Sequence, residues 1–307
     1  MKQAPKEHNA FFKLSKDVVC EDKILSTTGS IRVKTTESEI RCELLDKKGQ
    51  TSGVVLIEKS KWDTEHFGVG VGTLKRASFK DDIGNVSQRE LFQNAKITSL
   101  SQGLDVIFAR VPLHDFSTIQ VMEAEGAVLT DVLLTFTKDL DHNFVCKNHV
   151  EKIKIGQASL SDEEALRNIA REVFRVDHFH ADSRLSKEKC DDIYSEWISN
   201  SLRGLANIVF VARKGDAILG FVTCKCRIDQ SGHQKGFIDL IGVRNEYTGH
   251  GIGSFLVSKS LEWFSGKACC VLAGTQAANV PAVRLYQKMG FRHIFSEATL
   301  HLWTSPR

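Results

Sequence analysis

The sequence predicts an α/β fold in two domains, a smaller one over residues 1–145 and a second over 151–307. Three observations predict it. From residue 151, apolar strand-like runs and helical patterns follow in the order strand, helix, helix, strand, strand, strand, helix, strand, helix, strand, strand. Inside that order, Thr248-Gly249-His250-Gly251-Ile252-Gly253 sits between an apolar run and an amphipathic one. The first half shows a shorter strand–helix–strand–helix–strand order. It ends at the polar, aperiodic stretch Leu140–Val150, where the domain boundary is placed.

Residues 1–50 are mixed and polar, with short strands expected near Ser30–Thr35 and Ile40–Leu45. Val54–Glu58 reads as a strand. It leads into Trp62-Asp63-Thr64-Glu65-His66-Phe67-Gly68, read as a loop. There Trp62 and Phe67 anchor, and Asp63 and Glu65 cap or turn; the alternative is a segment that shapes an acceptor pocket. Gln88–Gln102 is a helix with Leu91, Ala95 and Leu100 apolar. Asp105–Val111 is a strand, Thr118–Glu125 a helix stopped by Gly126, and Val128–Phe136 a strand. Ile119–Ala127 parallels Val283–Phe291, so the N-terminal half reads as a degenerate half-copy of the second. It lacks the glycine loop and has Met122 where the second half has Tyr286, which argues against a second active site.

In the second domain Ile153–Ala158 is a strand. Ser161 with Glu164 forms a capping-box pattern for a helix running to Phe174. Lys187–Ser201 is a helix with Ile193, Trp197 and Ile198 on one face. Asn207–Arg213 and Ile218–Arg227 are strands joined by a turn at Lys214–Ala217. Phe237–Val243 is an apolar strand, Ser254–Phe264 an amphipathic helix and Cys269–Thr275 a buried strand. A helix begins at Asn279, and Phe291–Phe295 and Ala298–Trp303 close the sheet.

Composition narrows the function classes. Hydrophobic residues make up 42% and charged residues 26%, as in a soluble globular protein. A net charge of +3 gives no ground for nucleic-acid binding. No apolar run approaches the roughly 18 residues of a membrane helix. Met1–His8 leads into no apolar signal core, which implies a cytoplasmic protein. The 8 cysteines form no Cys-x-x-Cys pair and read as buried reduced thiols. His178-x-His180 alone does not make a metal site, and none is expected.

The glycine cluster carries the chemistry. Glycine permits a tight turn and lets backbone N–H groups approach a ligand, and the helix N-terminus behind it favours an anion. No Lys-Ser or Lys-Thr follows, so this is not a P-loop, and the spacing is not that of a dinucleotide fingerprint. Val243 through Gly253, then Asn279-x-x-Ala282-x-x-Leu285-Tyr286-x-x-x-Gly290-Phe291, resembles the acyl-CoA site of the GNAT superfamily of N-acyltransferases. The element order from 151 matches that fold. The resemblance implies a mixed, mostly antiparallel sheet flanked by helices, with a smaller degenerate GNAT-like α/β domain before it.

The resemblance further implies acetyl-CoA as co-substrate. Thr248, Gly249, His250, Gly251, Ile252, Gly253 and Ser254 would hold its pyrophosphate through backbone N–H groups. Thr248 stands where the family usually has Arg or Gln. Ile241 and Val243 would offer main-chain groups to the pantetheine and thioester carbonyl, and Asn279 a further hydrogen bond. Tyr286 takes the position of the acid that stabilises the leaving thiolate. Asp239, on the strand beside the thioester and on the face of Phe237 and Ile241 by period-two alternation, is either a base acting through water or a buried structural carboxylate. Arg175, Asp177, His178 and His180 lie in the loop that covers the acceptor in this fold, and Trp197 and Arg203 are further substrate-binding candidates.

A second likeness is to nucleotide-amino-sugar N-acetyltransferases, the TDP-fucosamine acetyltransferases among them. It rests on Trp62–Gly68, on the extra N-terminal domain, and on Tyr194-x-x-Trp197-Ile198-x-Asn200. It implies acetylation of a 4-amino-4,6-dideoxyhexose carried on a nucleoside diphosphate, with the N-terminal domain helping to form the acceptor site. The alternatives are an acetyltransferase for a peptide or small amine, and a non-catalytic CoA-binding regulatory module. By fold analogy, an apolar edge strand near the C-terminus would offer a homodimer contact.

Overall fold

The computed structural model describes residues 20–26, 29–80, 83–140, 145–146 and 149–305. The expected leader-free start at Met1–His8 lies outside them, as does part of the Leu140–Val150 stretch. In chain order the strands and helices are β1 (Cys20–Leu25), β2 (Ser30–Thr35), β3 (Glu39–Leu45), β4 (Thr51–Lys59), α1 (Lys61–Phe67), β5 (Val71–Phe79), α2 (Asn85–Ser101), β6 (Val106–Pro112), α3 (Phe116–Ala124) and β7 (Val128–Asp139). There follow β8 (Lys154–Gln157), α4 (Glu163–Val173), α5 (Lys187–Asn200), β9 (Ile208–Lys214), β10 (Ala217–Ile228), β11 (Gln234–Val243), α6 (Ile252–Phe264), β12 (Cys270–Gln276), α7 (Val280–Lys288) and β13 (Arg292–Trp303). Among the described residues no helix is long and apolar enough to cross a membrane.

The chain forms two compact units. One spans Leu133–Ser296; the other holds the described residues before Leu133 together with those from Glu297 onward. In the N-terminal unit β1 to β5 pair antiparallel in sequence, and β5 pairs parallel with β6 through the crossover helix α2. Glu297–Trp303 then pairs antiparallel with Val106–Pro112. Leu91 and Ala95 of α2, Met122 of α3, and Leu300 and Leu302 of β13 share one core with Ile31, Ile40 and Val55. Leu100, expected on the apolar face of α2, is instead exposed.

The segment Trp62–Gly68 forms helix α1 rather than a loop. Ser60 caps it by accepting the Asp63 N–H at 3.4 Å, and Gly68 ends it in the left-handed region (φ 73°), donating to the Thr64 carbonyl. Two pairs of residues four apart favour the helix: Trp62 stacks on His66, and Asp63 and Phe67 are buried.

In the C-terminal unit the strands order as β7, β12, β11, β10, β9, β8, with Leu133–Asp139 as the β7 part. All neighbours are antiparallel except β11 and β12. The series antiparallel, antiparallel, parallel over β9 to β12 is the same as over β3 to β6 in the other unit. Phe264, Leu261 and Val257 of α6 bury against Ile238, Cys224 and Val271. The capping box of the first helix falls two residues earlier than expected. Ser159 and Asp162 form it, because a single 3₁₀ turn at Leu160–Asp162 precedes α4.

The two strands expected at Phe291–Phe295 and Ala298–Trp303 are one continuous strand. Its second half is no edge, since it is paired with β6, and this removes the premise for a dimer contact there. Leu300 follows the C-terminal unit in sequence yet is buried in the core of the N-terminal one. Leu300→Ala should therefore cost about 2–5 kcal/mol. Hydrogen exchange should quicken in β2 to β6 and stay unchanged in β8 to β12; quickening confined to β8–β12 would contradict the division of the chain.

Candidate active site

The site begins where β11 gives way to α6. After Val243 a 3₁₀ turn, Asn245–Tyr247, leads to Thr248, whose hydroxyl donates to the Asn245 carbonyl at 2.8 Å. His250 donates its Nδ1–H to the Thr248 carbonyl at 3.0 Å. Gly249 and Gly251 are left-handed, with φ of 80° and 82°, a conformation that costs a residue with a Cβ. No side chain caps α6. The helix therefore presents its N-terminal backbone donors and its positive dipole end at an exposed loop. Gly253 serves a different need: a Cβ there would stand 3.3 Å from Leu285, so glycine lets α7 lie close on the first turn of α6. Nothing lies within 4 Å of a Cβ added at Gly249, so the loop is open there, and the backbone donors behind it could hold an anion.

Beside this loop the sheet parts. The parallel ladder of β11 with β12 runs from Lys235↔Cys270 to Ile238↔Ala273 and stops, although both strands continue. At the same point β11 bulges. Val222 pairs with Ile241 and Cys224 with Ile238, so Asp239 and Leu240 together oppose Thr223. The Thr223 hydroxyl accepts the Leu240 N–H at 3.0 Å. The bulge shifts the strand's phase. Ile238 and, beyond it, Ile241 and Val243 pack with the α6 core, whereas a Cβ at Gly242 would meet Val173 of α4. The expectation that Asp239 and Ile241 share a face is thereby corrected: unbroken alternation would be needed, and one extra residue intervenes.

Tyr286, on α7, is 2% exposed and lies between Phe136 and Phe291, with ring centroids 5.9 and 5.4 Å away. Burial, and after it the neighbouring Cys224 and Asp239, hold its phenol well above its ordinary pKa. Asn279 caps α7, its Oδ1 accepting the Ala282 N–H at 3.3 Å. Asp239 lies against Lys225 of the neighbouring strand in an ion pair. Its Oδ2 makes no aligned hydrogen bond, so Coulomb attraction at low solvent exposure holds the pair. Burial pushes the adjacent Cys224 thiol up to about 12, so it stays a neutral, inert thiol. Of the free cysteines Cys269 is exposed, against the expectation of burial, because it precedes the first paired residue of β12.

The acceptor-side candidates divide. Asp177 is buried and accepts the N–H groups of Phe179 and His180 at 2.8 and 2.9 Å. His180 faces Asp177 through Nδ1 at 2.6 Å and Asp191 of α5 through Nε2 at 3.0 Å, and Arg175 pairs with the same Asp191. His178 is buried against the Phe179 ring at 3.8 Å between centroids. These groups fasten the loop after α4 onto α5. Phe174 stacks on Tyr194 at 4.5 Å and Tyr194 on Trp197 at 6.2 Å, which ties Trp197 to the same loop. The Trp197 indole N–H is buried without a hydrogen-bond partner among the described residues.

Arg203 is not part of this group. It grips Glu163 with two bonds of 2.7 Å at the start of α4, whereas Arg175 follows the helix end, about 16 Å away for a helix of this length. It sits after α5, and α5 runs antiparallel to α4: Asp192 pairs with Arg171, and Glu196 with Arg167. Among the described residues no group of three or more His, Cys, Asp or Glu is placed to hold a metal ion.

Sequence reasoning missed Lys225. The signal was present: Phe221-Val222-Thr223-Cys224-Lys225-Cys226 is a strand buried on both faces that contains one cation, and the next strand contains one anion, Asp239. Lys225→Met should destabilise the fold by about 3–5 kcal/mol in urea unfolding, because it strands a buried carboxylate. The double variant Lys225→Met/Asp239→Leu should recover most of that loss. Additive losses would show that the two side chains do not form a unit.

Known proteins agree with this geometry. Residues 164–291 match the acetyltransferase (GNAT) family. The chain is 27% identical over 266 residues to spore coat polysaccharide biosynthesis protein SpsD of Bacillus subtilis (strain 168), covering 84% of this chain and 86% of that protein. A shorter likeness, 29% over 83 residues, joins 27% of this chain to 55% of N-alpha-acetyltransferase 30 of Schizosaccharomyces pombe. Among solved structures, a GCN5-related N-acetyltransferase from Sphaerobacter thermophilus superposes with a TM-score of 0.60 at 16% identity, over 88% of this chain and 82% of that one. With the parted strands, the left-handed glycine loop and the family match on one stretch of chain, the protein carries an acetyltransferase domain of the GNAT family.

Proposed function

We propose that the chain transfers the acetyl group of acetyl-CoA to the amino group of a nucleotide-linked amino-deoxysugar, a precursor of a surface polysaccharide. The parting of β11 from β12 beside the glycine loop carries the acetyl-transfer half of this reading. The likeness to a spore coat polysaccharide biosynthesis protein over most of both chains supports the sugar half. The likeness to N-alpha-acetyltransferase 30 favours a peptide acceptor as the second reading, but it covers only a part of the chain.

When bound, acetyl-CoA supplies an activated acetyl thioester with a thiolate leaving group. Backbone N–H groups from Gly249 to Ser254 bind the pyrophosphate, and the α6 dipole adds to their pull. Asp239 to Val243, no longer paired to β12, offer main-chain groups along the pantetheine and towards the thioester carbonyl. Asn279 holds the start of α7 and with it Tyr286. Tyr286 stays protonated and donates a hydrogen bond to the departing sulfur. Lys225 holds one oxygen of Asp239, and the other orients the acceptor amine. The loop fastened by Asp177, His180 and Asp191, with Trp197 behind it, closes the acceptor side.

The test is thiol release from acetyl-CoA with nucleotide-linked amino sugars, a peptide N-terminus and polyamines offered separately. Release with an amino sugar alone supports the reading; turnover of peptide alone overturns its sugar half, and binding of CoA without turnover overturns catalysis. Tyr286→Phe should lower kcat about 10²-fold or more with KM for acetyl-CoA little changed. The sign of the pH effect follows from the raised phenol. A group whose pKa is raised keeps its proton as pH climbs through its ordinary value, so kcat should rise as the amine deprotonates. It should then show no alkaline fall up to about pH 10, the ordinary tyrosine value. A fall centred below that would contradict the role given to Tyr286.

A further inference from the structure

The bulge beside the opened ladder is held by a side chain to which the roles above give no part. Strand N–H groups ordinarily give to main-chain carbonyls of the neighbouring strand. At Leu240 a side chain enters the ladder: the N–H gives to the hydroxyl of Thr223 on β10, at 3.0 Å. Both residues are buried, so solvent does not replace a lost partner. Thr223 and Lys225 are alternate residues of β10 and share a face. Lys225 holds Asp239, the residue before Leu240. Two successive residues of β11, which together oppose Thr223, are thus each fastened by one of two alternate β10 side chains. On either side the pairing is regular, Cys224 with Ile238 and Val222 with Ile241. The extra residue is confined to the point where these two side chains act.

Resting on the reading of Asp239–Val243 as the run that receives the acetyl thioester, we infer that Thr223 is a positioning residue for the acetyl donor. Its hydroxyl fixes the bulge, and through it the main-chain groups that meet the pantetheine and the acyl carbonyl. An extra residue in one strand either stays looped out at one place or is lost by a slip of one residue in the pairing. A slip turns every following side chain to the opposite face, and here it would take Ile241 and Val243 out of the α6 core. The Thr223 hydroxyl meets the Leu240 N–H in one register only, so it holds the looped arrangement against the slip. Valine would fill nearly the same space and accept no N–H.

The loop at Gly249–Ser254 stands outside this effect. It is shaped by its own left-handed glycines and by the start of α6, beyond the end of β11. Thr223 therefore acts on the arm and acyl end of the donor and leaves the pyrophosphate end alone.

The experiment measures binding by the full chain of two ligands, acetyl-CoA and adenosine 3′-phosphate 5′-diphosphate, which keeps the pyrophosphate and lacks the pantetheine arm. The wild type should bind acetyl-CoA at least tenfold more tightly than the fragment. Thr223→Val should raise the Kd of acetyl-CoA about fivefold or more, the worth of one hydrogen bond, and leave that of the fragment within about twofold. Thr223→Ser, which keeps the oxygen and loses the methyl group, should stay within about twofold of the wild type on both ligands. Exchange of the Leu240 amide should quicken in Thr223→Val and not in Thr223→Ser. An ester in place of the Asp239–Leu240 peptide bond removes the same N–H and leaves Thr223 intact. It should reproduce the Thr223→Val result, and it decides the matter where Thr223→Val does not fold. Unchanged acetyl-CoA binding in Thr223→Val or in the ester, a Thr223→Ser as weak as Thr223→Val, or equal losses on both ligands would each overturn the role of Thr223 while the reading of β11 stands. A wild type that binds the fragment as tightly as acetyl-CoA overturns that reading and the role with it.

Discussion

The parting of β11 from β12 after Ile238 is the constraint on which the rest of the site depends. A parallel pair normally satisfies its main chain along its whole length. Here the ladder ends while both strands continue, and the bulge at Asp239–Leu240 turns β11 out of register at the same residue. An opening of this kind inside a sheet leaves main-chain groups for a ligand. The neighbouring groups follow from it. α6 starts at the open end through two left-handed glycines, α7 brings Tyr286 to its side, and Lys225 supplies the countercharge that allows a carboxylate at the apex.

The two units use the same sheet plan and differ in what is placed on it. In each, three antiparallel or parallel pairings lead to a crossover helix and then to a helix stopped by glycine, at Gly126 and Gly290. The N-terminal crossover helix starts at Gly84 in extended backbone, φ −68°, where α6 starts at left-handed Gly251. Met122 fills the core where the other unit has Tyr286. Among the described residues the N-terminal sheet therefore keeps the packing without the left-handed helix start and without the phenol. The second half of β13 completes the N-terminal core, so Glu297–Trp303 packs with the unit that precedes Leu133 in sequence.

Much of this was legible in the sequence because it is local. The glycine loop, the helix behind it and the cap at Asn279 are set by residues within one turn of each other, and the structure places them as read. What was not legible depends on partners distant in sequence. The bulge at Asp239 appears only in the register with Thr223, and the Lys225 pair only when two strands are side by side. Arg203 was a substrate-binding candidate in the sequence, where its partner Glu163, 40 residues away, could not be seen. A helix separates it from the loop, and Glu163 takes its charge. Trp62–Gly68 was read as a loop because its helix of 7 residues is too short to show a period, and the Ser60 and Gly68 caps decide it.

The central claim is that the first turn of α6 and the unpaired run of β11 together receive the acetyl donor. Amide hydrogen exchange with and without acetyl-CoA tests it directly. The account predicts new protection at Gly249–Ser254 and at Asp239–Val243, with β2 to β6 unchanged. Protection that spares both of these segments, or that appears instead over β5 and the start of α2, would contradict it.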